Sequence, residues 1–176
     1  MRHLSLLIPM LFLAFTGNAV GQEKMHHHDA AASPSTTLQV SADASVHTFT
    51  PADLAAMPQT TVKVHNEHSQ KDEIYSGVSL SVLLAKAGFA AGPATHRKML
   101  HSYLAAQGTD QYWVLYSVTE VEQSEHRGDV IVALTVDGHP LTEDGQFKLV
   151  SSEDKKPQRW VRNLSSLRLV IVDGAD

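Results

Sequence analysis

Apolar positions along this chain fall into short runs of two kinds. The first is a single unpatterned stretch at the start. Met1-Arg2-His3 is cationic, Leu4 to Phe15 is almost wholly apolar, and Ala19-Val20-Gly21 closes the stretch with small residues. A run this short reads as a signal peptide cleaved before Gln22 rather than a spanning helix, which needs about 20 apolar residues; an uncleaved anchor is the other reading. Residues 22–36 show no periodicity. They hold Met25-His26-His27-His28-Asp29 and then Ala, Ser, Pro and Thr, so they read as a flexible linker.

From residue 37 to residue 174 the pattern alternates between strand and helix periods and predicts one α+β domain, strands dominant. Leu38-Gln39-Val40 and Val46-His47-Thr48-Phe49 read as strands around Asp43-Ala44. Thr50-Pro51-Ala52-Asp53 has a hydroxyl at N-cap, Pro at N1 and an acid at N3, which opens a helix through Met57 that Pro58 stops. Thr60 to Val64 is β-branched and alternating, a strand. Leu80, Leu83, Leu84 and Ala87 share one helical face over Leu80–Ala87, with Gly88 beyond the end. Leu100–Ala106 and Gln111–Val118 are the next expected strands, and Ser117-Val118-Thr119-Glu120 is a second capping box. Val130–Val136 is a run apolar but for Thr135, as suits a central strand, and Asp137-Gly138 turns it towards His139-Pro140-Leu141. Phe147–Val150 and Leu167–Val172 complete the strands.

Composition narrows the function classes. The 176 residues carry 14 Lys+Arg against 19 Asp+Glu, a net charge of -5, and no cysteine. Cleavage after Gly21 would remove Arg2 and leave 13 against 19, or -6. A chain short of cations is a poor ligand for nucleic acid. Without cysteine there is no disulfide, no thiolate metal site and no thiol nucleophile. No phosphate loop, dinucleotide fingerprint or nucleophile elbow occurs. His26-His27-His28 is a candidate chelate for Cu(II), Ni(II) or Zn(II), and a metal-buffering role through it is one hypothesis. His65 and His68, three apart on an extended strand, point to opposite faces. Asp110, Glu120 and Asp129 lie near strand ends, where they are either acid–base candidates or ordinary surface carboxylates.

The segment Ser151 to Leu164 holds Lys155, Lys156, Arg159, Arg162 and Trp160 between two strands. A guanidinium beside an indole offers a stacking surface with fixed donors, suited to a flat heteroaromatic ring with carbonyl oxygens. On composition, Trp160 capping the core with its neighbouring charges solvated is the competing reading.

The order of motifs from Phe49 to Val172 resembles the molybdopterin-binding domain of the sulfite-oxidase type. The pieces are Phe49-Thr50-Pro51-Ala52-Asp53-Leu54, Tyr75-Ser76-Gly77-Val78-Ser79-Leu80 with Leu83-Leu84 and Ala87-Gly88, Gly108-Thr109-Asp110-Gln111-Tyr112, Asp129 to Leu134 leading into Asp137-Gly138, and Arg159-Trp160-Val161-Arg162. The resemblance implies a compact mixed-sheet α+β fold. It also implies departures. Where catalytic members supply a molybdenum-binding cysteine, this chain has Val62-Lys63-Val64-His65-Asn66-Glu67-His68; where they hold the cofactor phosphate, it has Gly145-Gln146-Phe147-Lys148. That pattern is similar to the small exported, non-catalytic pterin-binding branch. It implies a periplasmic protein that binds a reduced pterin, with no covalent cofactor, and signals through the periplasmic domain of a membrane receptor. Trp160 and Arg159 would embrace the ring, one of Asp110, Glu120 or Asp129 would face its 2-amino edge, and Arg162, Tyr112, Ser117 and Ser151 would complete the site. A molybdenum-cofactor oxidoreductase, or its accessory subunit, is the alternative.

Overall fold

The structure is a computed structural model, and it describes residues 33–67, 69–122, 126–142 and 144–172. The segment expected to be a signal peptide, the His26-His27-His28 triplet and His68 lie outside the described residues. Residues 33–36, at the end of the stretch read as a linker, lie against the body: the Thr109 hydroxyl donates to the Ser33 carbonyl at 2.7 Å and Ser35 is buried.

Among the described residues, ten strands form two sheets, the first mixed and the second antiparallel, joined by four short helices. Strands β1 (Leu38–Ala42) and β2 (Ser45–Phe49) make the expected hairpin, with Asp43 at φ 53° in the turn. Helix α1 (Pro51–Ala55) starts at the predicted capping box: the Asp53 carboxylate accepts from the Thr50 N–H at 2.7 Å while the Asp53 N–H donates to the Thr50 hydroxyl at 3.2 Å. It ends before Met57 because the Gln59 amide donates to the carbonyls of Leu54 and Met57, taking two acceptors that a longer helix would use. Strand β3 (Thr60–Asn66) pairs along its full length with residues 71–77 of β4 (Lys71–Ser79). The charged start of β4, Lys71-Asp72-Glu73, hides it from a hydrophobic pattern. Helix α2 (Leu80–Lys86) buries Leu80, Leu83 and Leu84, and Gly88 follows at φ 94°.

A further short helix, α3 (His96–Leu100), was not expected, and it displaces β5 to Ser102–Gly108. Then come β6 (Trp113–Ser117), α4 (Val118–Val121), β7 (Val130–Val136), β8 (His139–Pro140) and β9 (Lys148–Ser151). A 3-10 turn (Pro157–Arg159) and β10 (Leu164–Ile171) complete the described chain.

The first sheet runs β2-β1-β10-β5-β6, with β1 and β10 parallel and the other neighbours antiparallel. The second runs β3-β4-β7-β8, with β9 also on β7. Strand β7 is buried on both faces, and its alternation splits the core. Val130 and Val132 join the large cluster of Leu38, Leu83, Leu104, Phe147 and Leu167; Ile131 and Ala133 face a smaller cluster of Val62, Val64, Tyr75, Val150 and Trp160. Gly77 is required where β4 crosses β7: a Cβ there would sit 2.0 Å from the Val132 carbonyl oxygen. None of the described helices is long and apolar enough to cross a membrane.

Candidate functional site

Tyr75, Leu141 and Trp160 of the smaller cluster form the floor of a cleft of about 960 Å3. Tyr75 comes from β4 and Lys148 from β9, while Trp160 follows the 3-10 turn. Trp160 is only 6% exposed and packs edge-on to Tyr75, centroids 5.8 Å apart at 76°. Its indole Nε1 is buried and lacks an acceptor among the described residues. The Lys148 ammonium lies over both rings, 4.7 Å from the Tyr75 centroid and 5.5 Å from that of Trp160. It donates to the Tyr75 hydroxyl at 2.9 Å and to Asp144 Oδ2 at 2.8 Å. Tyr75 in turn donates to Glu73 Oε2 at 2.7 Å. Burial, reinforced by that bond and the Glu73 charge, pushes the phenol well above its ordinary pKa, so it stays a donor.

The rim comes from three turns. In the β7–β8 turn, Asp137 sits at φ 50° and accepts the Ile74 N–H at 2.9 Å. In the β5–β6 turn, Asp110 Oδ1 accepts the Tyr112 N–H at 3.0 Å, and the Tyr112 hydroxyl donates to the Gln158 carbonyl. Beyond the 3-10 turn stands Arg162, 58% exposed along its side chain and 3.8 Å from Asp144 Oδ1. The cleft lining holds five carboxylates (Asp72, Glu73, Asp110, Asp137, Asp144) against three cations (Lys71, Lys148, Arg162). The site therefore favours a ligand that brings donors rather than negative charge.

Arg159 is elsewhere. The chain is extended at Trp160, φ -79° and ψ 133°, so consecutive side chains leave on opposite sides, and Trp160 and Arg162 share a cleft that Arg159 does not line. Arg159 Nη1 meets Glu120 Oε1 at 3.0 Å, while Nε and Nη2 grip the two Asp154 oxygens at 3.2 Å and 2.5 Å. Its guanidinium carbon lies 4.3 Å from the Tyr116 ring centroid, and the Tyr116 hydroxyl donates to the Arg159 carbonyl at 3.0 Å. Burial alone would raise the Glu120 pKa, but the Ser117 N–H, the Arg159 guanidinium and the Ser117 hydroxyl outweigh it and hold Glu120 below the usual glutamate range.

The nine sequence-predicted site residues thus divide. Trp160, Arg162, Asp110 and Tyr112 line the large cleft. Arg159, Glu120 and Ser151 line a separate pocket of about 170 Å3, and Ser117 is the N-cap of α4 beside it, its hydroxyl accepting the Glu120 N–H at 3.3 Å. Asp129 lines neither; its N–H donates to the Ser152 hydroxyl and its carbonyl accepts the Ser152 N–H. The picture of Arg159 and Trp160 flanking one ring is corrected, and so is Trp160 as an open stacking plate, since Tyr75 and Lys148 already cover it. Sequence reasoning missed Tyr75, Asp144 and Lys148. Tyr75 stood in a quoted motif, and Asp144 and Lys148 are spaced as an i,i+4 ion pair, but nothing local announces that they meet.

A molybdenum centre of the kind the family resemblance implies does not fit these residues. The chain has no cysteine, and the described residues hold no group of three or more His, Cys, Asp or Glu able to bind a metal. On β3, in the stretch that stands where the cysteine is missing, His65 lies on an exposed edge with Nδ1 2.9 Å from Asp72 Oδ1, while Lys63 Nζ pairs with Asp72 Oδ2 at 2.8 Å.

No family model matches this chain, and no curated protein does. Among solved structures it is similar to the sulfane dehydrogenase SoxCD from Paracoccus pantotrophus, with a TM-score of 0.58 and 21% sequence identity. That similarity covers 76% of this chain and 37% of that one, so the chain spans little more than a third of its structural neighbour. The protein is therefore a compact mixed-sheet α+β domain. Its fold is related to that of SoxCD.

Proposed function

We propose that this chain is an exported, non-catalytic binding protein for a reduced pterin, held in the Tyr75–Trp160 cleft and read by a membrane signalling partner. The observation that carries the reading is the composition of that cleft: an aromatic floor walled by more carboxylates than cations. A reduced pterin has a flat pyrimidine half and presents N–H donors along its 2-amino–N3 edge and at the nitrogens of its reduced ring, so it supplies what such a wall lacks. Of the three acids considered from sequence, Asp110 is the one on this cleft, and it is the acceptor assigned to the 2-amino edge. Tyr112 and Arg162 line the same cleft, and in this reading Arg162 donates to the ring carbonyl. The export step rests on the N-terminal sequence pattern, and the receptor on the family resemblance.

The molybdenum-oxidoreductase alternative has less support, because its metal needs a thiolate that this sequence does not contain. The test is calorimetry of the full chain with a tetrahydropterin, alongside elemental analysis of protein from a molybdenum-cofactor-competent host. One-to-one binding, weakened about tenfold (1.4 kcal/mol) in D110N, supports the proposal. No heat of binding refutes it, and stoichiometric molybdenum would revive the alternative. With Trp113 replaced by Phe, Trp160 is the sole tryptophan, and a change in its fluorescence on titration reports a ligand bound in the cleft.

A further inference from the structure

The outer face of the first sheet has no role in the site described above. Following the register, one cross-strand row runs Val46, Ser41, Arg168, Ala105 and Leu115, and the row beside it ends on Gln107 and Trp113. Trp113 is 60% exposed, Leu115 44% and Val46 61%. These are three of the six exposed large hydrophobics among the described residues, gathered on one face. A shallow groove of about 380 Å3 runs between Trp113, Leu115, Tyr103 and Arg168. Strand β6, the edge of this sheet, reads Trp-Val-Leu-Tyr-Ser and so lacks the charges that usually guard an exposed edge.

Charge selects the occupant. Arg168 is exposed near the middle of this face and has neither an ion pair nor a side-chain hydrogen bond among the described residues. No Asp or Glu stands on either row, although the chain as a whole carries -5. A second copy laid on the same face would bring Arg168 to a surface with no acid to receive it. Five strands about 4.8 Å apart and about 5 residues long give roughly 400 Å2 of projected face. That is about half of what each side of a stable globular interface buries, and it fits a short segment of a partner.

We propose that this face is a docking site for an extended segment of another protein that carries a carboxylate flanked by apolar side chains. The acid pairs with Arg168 while its apolar neighbours cover Trp113 and Leu115, excluding water from the pair. The inference stands independently of the pterin reading, since none of these residues lines the Tyr75–Trp160 cleft.

The experiment is selection of a phage-displayed random peptide library on the full chain, followed by anisotropy titration of the enriched peptide. Enrichment of Asp or Glu next to Trp, Phe or Leu is expected. Binding should fall at least tenfold in R168E and in W113S, both exposed positions whose circular dichroism should match wild type. An acid-to-lysine change in the peptide should restore binding to R168E, which a merely structural effect would not do. No enriched motif, or binding indifferent to both substitutions, overturns the proposal. So does wild-type self-association in sedimentation velocity that W113S abolishes, since the occupant would then be a second copy.

Discussion

Replacing Lys148 by Met tests whether the cleft floor is held by one buried cation. The Met side chain keeps most of the stem volume, so no sizeable cavity opens, and the change is mainly electrostatic. What disappears is a donor to Tyr75 at 2.9 Å and to Asp144 at 2.8 Å, from a side chain only 9% exposed. Breaking a buried pair by deleting one partner costs about 3–5 kcal/mol, because the other charge is stranded. Asp144 is 20% exposed and keeps Arg162 at 3.8 Å, which places the loss at the low end, about 3 kcal/mol. At roughly 3 °C per kcal/mol for a domain of this size, the midpoint should fall by about 9 °C. Urea unfolding followed by far-ultraviolet circular dichroism measures the same quantity at fixed temperature. The stranded charge makes a second demand: adding Asp144→Asn to Lys148→Met should recover about 1–2 kcal/mol. A single variant within about 1 kcal/mol of wild type, or a double variant whose loss is the sum of the two singles, refutes the reasoning.

Gly77→Ala should be more damaging than its single methyl implies, by at least about 3 kcal/mol, because the atoms it meets, the Val132 carbonyl and the Ala133 Cα at 2.6 Å, are backbone and cannot rotate away; thermal unfolding reads it. Asp110→Asn keeps an acceptor for the Tyr112 N–H at 3.0 Å, so its midpoint should stay within a degree or two of wild type while pterin affinity falls, a separation that calorimetry plus thermal melts resolves. Glu120 has a folded pKa below the 4.5 of a free glutamate, so its contribution is complete above that value and is lost as the pH drops through the folded one. Partial exposure screens it, so Glu120→Gln should flatten acid-induced loss of stability by less than about 1 kcal/mol, and urea titrations between about pH 3 and pH 6 will show whether it does.

What could be read from the sequence follows how local each signal is. Both capping boxes, at Thr50 and Ser117, are seen in the structure because their donors and acceptors lie within four residues. Strand β7 was legible because burial on both faces leaves a run that is apolar but for Thr135. Strand β4 was not, since Lys71-Asp72-Glu73 faces the cleft mouth and breaks the alternation. The site was half legible. Trp160, Arg162, Asp110 and Tyr112 carried unusual chemistry in short motifs, but Tyr75 and Lys148 meet only through a ladder of three strands, 73 residues apart in sequence.

The misplacement of Arg159 shows what the motif as a whole does. In Arg159-Trp160-Val161-Arg162 the backbone leaves the 3-10 turn at Arg159, is extended at Trp160 and enters a turn at Arg162, and neighbouring side chains part to opposite sides. Val161 and Arg159 leave on the side away from the cleft: Val161 is fully buried and bridges to Leu149, while Arg159 is clasped by Glu120 and Asp154 over the Tyr116 ring. Both therefore anchor the segment from behind. Trp160 and Arg162, on the other side, are held in register without spending their own hydrogen bonds on the scaffold, and Trp160 Nε1 still lacks an acceptor. A motif whose Arg159, Trp160 and Arg162 read from sequence as contacts to one ligand is thus two residues that line the cleft and two that brace them. Arg159 ties down the backbone next to Trp160, while its guanidinium lies in the other pocket.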